Sequence, residues 1–365
     1  MNKLSGIAVT LLMLLTLPVM GHAQYQYETN NGAITITRYN CSVRTFLSPG
    51  MWPSTTNKIS QSGDSRSTLT IPDTINSLPV TSIGPDAFFG CIGLTNVTIP
   101  AGVVSIEYYA FGHCTGLTNI SIPSTVATIG QWAFRGCTGL SSVTIPAGVT
   151  SFEDRAFWLC TGLKEFAVDE ANRNFCAVEG VLFDKHQTKL IQIPINRKAG
   201  HYVIPASVTG IGRYAFSGCG WLTNVTIPAS VTKIEDGAFG GCTSLTSVTI
   251  PAGITSIGEY MFIGCKSLTN VTIPAGVTSV GFHAFCFCPN LKALVFPTSI
   301  TTIGGEAFCQ SAGLTNVYFK GNAPNVEESA FHDADNATIY YLTGTTGWGK
   351  TFGGRPTASW TDKSP

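Results

Sequence analysis

The chain has 365 residues, 44% of them hydrophobic and only 12% charged, with 21 basic and 21 acidic side chains in balance. Ordinary soluble domains carry roughly 25% charged residues. This chain therefore has no basic field to draw nucleic acid or anionic lipid, and no acidic run that would mark a solvated tail.

Residues 1–23 differ from the rest. Lys3 precedes a mostly apolar run from Leu4 to Met20, broken by Pro18, and the Gly21-His22-Ala23 tripeptide puts small residues at the positions that a signal peptidase reads. This pattern predicts a secretory signal peptide cleaved after Ala23 and an exported mature chain. No later segment approaches 18 consecutive apolar residues, so no membrane insertion of the mature chain is expected. Residues 24–68 are read as an N-terminal capping segment.

From residue 69 onward one pattern recurs. A phenylalanine falls at Phe88, Phe111, Phe134 and Phe157, then at Phe216, Phe239, Phe262, Phe285, Phe308 and Phe331. The step within each run is constant, at about 23 residues, a period that marks a solenoid. Leucine keeps the same step from Leu94 to Leu163 and from Leu222 to Leu314. In residues 94–100, LTNVTIP, Val97 and Ile99 are two apart and face one side of a strand, while Asn96 and Thr98 face the other. Pro100 lacks an N–H and ends the ladder. Val103 and Ile106 return to the same interior. The Ala-Phe segment is too short for an independent helix and reads as one helical or 3₁₀ turn. A single coil cannot offset its own ordering entropy, whereas stacked coils bury one another's edges.

The reiterated motif, IPxxVTSIGxxAFxGCTGLTNVT over about residues 69–331, resembles the BspA-like (Treponema-type) leucine-rich-repeat family. The resemblance implies a secreted or surface protein, with adhesion to host or neighbouring-cell proteins as an activity of some members. Residues 28–40 look like an N-terminal capping strand. Residues 338–365 look like an aromatic C-terminal cap, with Trp348, Phe352 and Trp360 as lids. The solenoid proper spans 69–337.

Twelve cysteines in an exported chain raise the question of disulfides. Eight form one column: Cys91, Cys114, Cys137, Cys160, Cys219, Cys242, Cys265 and Cys288, with Ser311 in the next place. Stacked coils hold equivalent Cβ atoms about 4.8 Å apart, outside the usual span of about 3.5–4.5 Å for a disulfide. The column is therefore read as buried thiols acting as small hydrophobes. It is not read as a metal ladder, because no histidine column accompanies it. Cys286 and Cys309 share a second position in neighbouring coils and are candidates to pair. Nothing assigns a partner to Cys41 or Cys176.

Between Cys160 and Cys219 the regular step is broken by an extra segment of about 36 residues, longer than one whole repeat. This insertion, about residues 164–203, concentrates charge. It contains GVLFD and KLIQIP, which read as a hairpin joined at residues 185–188. Two readings stay open: a wedge that bends the stack, or a contact site carried by Lys185, His186 and Arg197.

The outward strand positions form the second candidate surface: Asn96, Thr98, Asn119, Ser121, Asn224, Thr226, Asn270, Thr272, Asn316 and Tyr318. This amide-and-hydroxyl face is suited to hydrogen bonding with protein backbone or glycan hydroxyls, or simply to a ladder among its own members. Trp132, Trp158 and Tyr318 are the aromatics available for a sugar. No histidine pair has metal-ligand spacing, and no G-x-S-x-G stands in a triad context. The run from Asp333 to Asn336 starts like a calcium loop but lacks its glycine and distal glutamate.

These readings predict a leucine-rich-repeat solenoid of about ten coils, mostly short parallel strands and loops. The expected function is non-catalytic binding of an extracellular or surface protein, with glycan binding as the alternative. Neither cofactor nor metal is expected.

Overall fold

The computed structural model describes residues 24–41, 43–46, 57–60 and 67–361; the proposed signal peptide lies outside them. The chain winds as a β-solenoid of about 11 turns with about 23 residues per coil. A regular coil has two short strands. One is Asn96–Thr98 and its equivalents, the other Ser105–Ile106 and its equivalents. Each pairs in parallel with the same residues one repeat later, as Asn96 with Asn119 and Ile106 with Ile129.

The interior follows the period. Leu94, Val97, Ile99, Val103 and Ile106 are all buried. The phenylalanines stack face to face, with centroids 4.8–5.4 Å apart from Phe88 to Phe157 and 4.8–5.7 Å apart from Phe216 to Phe331. Offset or tilted aromatic pairs at this separation contribute beyond their buried area. The Ala-Phe segments are hydrogen-bonded turns. Among the described residues the single 3₁₀ helix is Glu328–Phe331, in the last coil of the series.

The N-terminal segment imitates a coil. It is a hairpin, Tyr25–Asn30 against Ala33–Tyr39, rather than the single strand expected from residues 28–40. Asn31 and Gly32 turn it with φ of 49° and 76°, the conformation that an Asn-Gly hairpin turn requires. The Tyr39 amide donates to the Ala87 carbonyl, the bond that Phe88 makes to Ala110, and the Tyr39 ring heads the phenylalanine stack 5.2 Å from Phe88. Cys41 thereby arrives at the head of the cysteine column and bonds to Cys91, their Cα atoms 5.7 Å apart. This corrects the reading of Cys91 as a buried thiol. The first coil has no regular coil before it, so its cysteine meets the cap.

Cys286 and Cys309 also pair, with Cα atoms 4.6 Å apart. The other seven column cysteines are buried and reduced. At the far end, Trp348 and Phe352 pack on Phe319 at 5.2 and 5.5 Å, closing the interior, whereas Trp360 lies against Tyr318.

The insertion interrupts both sheets. The expected hairpin forms between Val181–Asp184 and Lys189–Gln192, and a third strand, Phe175–Val178, adds to it through a Glu179-Gly180 turn. Asn172, fully buried, fixes its start. Its Nδ2 donates to the carbonyls of Pro146 (2.7 Å) and Val149 (3.1 Å), and its Oδ1 accepts from the amides of Asn174 and Phe175. The phenylalanine stack stops here and is closed by edge-on contacts, Phe166 on Phe157 and Tyr202 on Phe216.

Candidate functional site

The strand face is the plainer of the two surfaces. Thr98, Asn119, Ser121, Asn224, Thr226, Asn270 and Thr272 are exposed, and Asn96, Asn316 and Tyr318 are half-buried. The ladder running along the coils belongs to a neighbouring column. Thr118, Thr246, Thr269 and Thr315 each donate to the backbone carbonyl 23 residues earlier. The insertion splits the face, since Glu165–Val168 pairs only with Ser142–Ile145 and His201–Val203 starts a new sheet. Tyr318 stacks on Tyr340 at 4.9 Å, so these two rings face each other along the stack rather than outward.

The candidate residues of the insertion do not form one group. His186 is exposed at the hairpin tip, and Lys185 there reaches the Glu170 carbonyl. Arg197 is held elsewhere, by the Glu179 carbonyl at 2.7 Å and its carboxylate at 3.2 Å, with its guanidinium 5.5 Å from the Tyr202 ring.

The turn edge carries more chemistry. Each coil presents two positions there, one two residues before the repeating phenylalanine and one just after it. The first position is left-handed in the coils from Asp86 to Glu306, with φ of 52° at Tyr109, 58° at Trp132, 61° at Arg155 and 56° at Tyr214. Such a backbone is unfavourable for these residue types. It persists because the stacked neighbour holds it, as the Tyr109 amide bonded to the Gln131 carbonyl and the Tyr214 amide bonded to the Asp236 carbonyl.

Stacking these positions brings Tyr109, Trp132, Arg135, Arg155, Trp158 and Tyr214 into one ladder, with Tyr108 against its first two rings. Arg135 lies 4.8 Å from the Trp158 ring and 5.9 Å from Trp132, and donates to the Tyr109 hydroxyl. Arg155 lies 5.1 Å from Trp158 and 3.4 Å from the Tyr214 ring. The ladder crosses the insertion directly: Trp158 Nε1 donates to Ser217 Oγ at 3.2 Å, and Asp154 pairs with Arg213 at 3.2 Å. Gly237 leaves room for the Tyr214 ring, with which a Cβ there would collide.

The ladder retains unpaired polar atoms. Among the described residues, Trp132 Nε1, Arg135 Nε and Arg155 Nε, together with Nε2 of the neighbouring His113, are buried without a hydrogen-bond partner. Burial, aided by Arg135, pulls His113 down to about 4, so its imidazole is neutral at ordinary pH. Burial likewise pulls Arg155 below its ordinary value, against the opposing effect of Tyr214. Trp132 and Trp158 stand out in the sequence as aromatics. Their arginine and tyrosine neighbours do not, because these positions vary from coil to coil.

Beside the ladder is a cleft of about 330 Å³ between the coil ending at Ala156 and the hairpin, lined by Phe152, Phe175, Ile191, Lys189, Arg213 and Glu235 among others. Its carboxylates are committed. Asp184 accepts from Thr188 and the Lys189 amide, both at 2.6 Å, and Glu153 accepts from the Gln131 amide. Burial pushes Glu235 up, but Lys189, Lys233 and the Arg213 amide outweigh it and hold the carboxyl below its ordinary value. The cleft is an ion-paired joint. Asp335, in the calcium-loop-like run, is bound by Arg355 at 2.6 Å.

No curated protein matches the chain. Among solved structures it is similar to a leucine-rich repeat protein from Eubacterium ventriosum, with a TM-score of 0.64, 25% identity, and 80% of this chain and 82% of the other covered. It is also similar to one from Bacteroides ovatus, with a TM-score of 0.50, 25% identity and coverage of 87% and 70%. The pneumococcal vaccine antigen PcpA matches in fold, with a TM-score of 0.61, 20% identity and coverage of 88% and 94%. The pattern of the BspA type leucine rich repeat region matches residues 58–198 and 203–338 in 6 copies. Together with the regular coils and their stacked phenylalanines, this places the chain in the BspA-type leucine-rich-repeat family.

Proposed function

We propose that the protein is an exported, non-catalytic binding protein that engages an extracellular or surface protein through the turn-edge ladder. The observation that carries this reading is the composition and state of the ladder. Tryptophan, tyrosine and arginine are the residues most enriched at binding hot spots, and here they stand half-exposed and stacked on one another along one edge of the coils. Export is supported by the signal-like start and by two disulfides, which persist in oxidising compartments. The non-catalytic reading is supported by the ion-paired cleft. Glycan binding by ring stacking is the weaker alternative, since arginines already lie over Trp132 and Trp158.

The test is a panel of extracellular ectodomains beside a glycan array. Partners that bind the full chain lose on the order of tenfold or more in affinity with Trp132→Ala or Trp158→Ala, and bind Asn224→Ala normally. Partners indifferent to both tryptophans and sensitive to Asn224 would move the site to the strand face.

A further inference from the structure

The same two turn-edge positions, farther along, hold a different set of side chains. One coil supplies His283 and Cys286, and the next supplies Glu306 and Cys309. A ring nitrogen of His283 and the two sulfurs lie within 4.8 Å of one another. His283 Nε2 is 2.6 Å from Glu306 Oε2, while His283 Nδ1 is buried with no hydrogen-bond partner among the described residues. A carboxylate on one imidazole nitrogen fixes the proton there and leaves the other nitrogen's lone pair to bind, an arrangement that metal-binding histidines use. In the structure the two sulfurs are joined as a disulfide.

We propose that this cluster is a redox-gated zinc site, closed as the Cys286–Cys309 disulfide and opened by reduction to two thiolates that bind Zn²⁺ together with His283 Nδ1. Two thiolates and an imidazole suit Zn²⁺ better than the oxygen-seeking cations. Tetrahedral ligand atoms sit roughly 3.5–3.8 Å apart on zinc. Cleaving the S–S bond lets the sulfurs separate to that spacing. Both cysteines and His283 Nδ1 are buried, and the His283 side chain as a whole is 21% exposed, so the three ligands lie just beneath the surface and the fourth position falls to a water that enters once the sulfurs separate. The chemistry balances with a phosphine reductant. The disulfide takes two electrons from the phosphine and two protons from water, whose oxygen leaves as phosphine oxide. Zn²⁺ then displaces the two thiol protons.

The test uses the full chain, oxidised and phosphine-reduced, with Zn²⁺ counted after desalting and Co²⁺ as a spectroscopic probe. Reduced wild type is expected to hold one zinc per chain and, with cobalt, to show thiolate-to-metal charge-transfer absorption; the oxidised chain holds none. Reduced His283→Ala and Cys286→Ser lose both signals, Glu306→Gln weakens binding about 10-fold or more, and Cys41→Ser binds as wild type does. Circular dichroism of oxidised His283→Ala checks its fold. A reduced wild type without zinc, equal zinc in the oxidised chain, or zinc that survives His283→Ala would each overturn the proposal, including the case in which reduction unfolds the chain and its thiols bind metal at random.

Discussion

Ser311 shows what the column cysteines do. Its hydroxyl donates to the Phe285 carbonyl at 2.7 Å, the same bond that Cys265 makes to Phe239 (3.2 Å) and Cys242 to Phe216 (3.1 Å). The thiols are thus weak donors in a dry interior as well as small hydrophobes. Cys265→Ser is expected to cost no more than about 1 kcal/mol in denaturant unfolding, because its donor can act as that of Ser311 does. Burial drives Cys160 and Cys288 up to about 12 from an ordinary 9.0. The folded chain therefore keeps protons that the unfolded chain releases above pH 9, so stability is full below that pH and is lost as pH rises toward about 12. In the native protein at pH 8, iodoacetamide should leave the column unlabelled, with labelling appearing only in denaturant, as mass spectrometry can show. His113 works in the opposite direction. The unfolded imidazole protonates below 6.5 and the folded one only near 4, so stability falls as pH drops through that interval. Replacing His113 by Asn should flatten the melting temperature across it.

At the scale of elements, the regular coil is legible in the sequence and the insertion only half so. Leu94, Val97, Ile99 and Phe88 repeat because they face inward, where each coil meets the same neighbours, and periodicity reports such positions directly. The hairpin around residues 185–188 is also readable from its flanking apolar runs. The third strand, Phe175–Val178, is not, and neither is Asn172, whose meaning lies in carbonyls 23 and 26 residues earlier. Asn172→Ala should destabilise the protein by roughly 2–3 kcal/mol in denaturant unfolding, because it strips partners from buried backbone groups. The Cys41–Cys91 bond is hidden for a related reason: it depends on Tyr39 entering the phenylalanine register, which no residue near Cys41 announces. The Asn31-Gly32 turn, in contrast, is an available signal for the N-terminal hairpin. Arg155→Ala should remove about 1–2 kcal/mol, read in the same unfolding experiment, through the lost contact with Tyr214.

On the scale of the whole molecule, inward positions set the fold and turn-edge positions set what differs along it. That division explains why the family can be read from the sequence while the ladder cannot: neither turn-edge position keeps one residue type from coil to coil, so periodicity does not mark it. The insertion does not part the stack at this edge. The Ile193 amide donates to the Ala215 carbonyl as the Phe134 amide does to Ala156, and Trp158 reaches Ser217 across 59 residues of sequence. The chain is accordingly one continuous stack of coils, joined through the insertion by its turn edge. Hydrogen exchange of the full chain, followed by mass spectrometry, tests this most directly. Peptides covering residues 156–160, 193–196 and 214–219 should be protected as strongly as residues 239–242 and 262–265 within the regular coils. Exchange of those three peptides at the rate of the fully denatured chain would show two separate stacks and contradict the account.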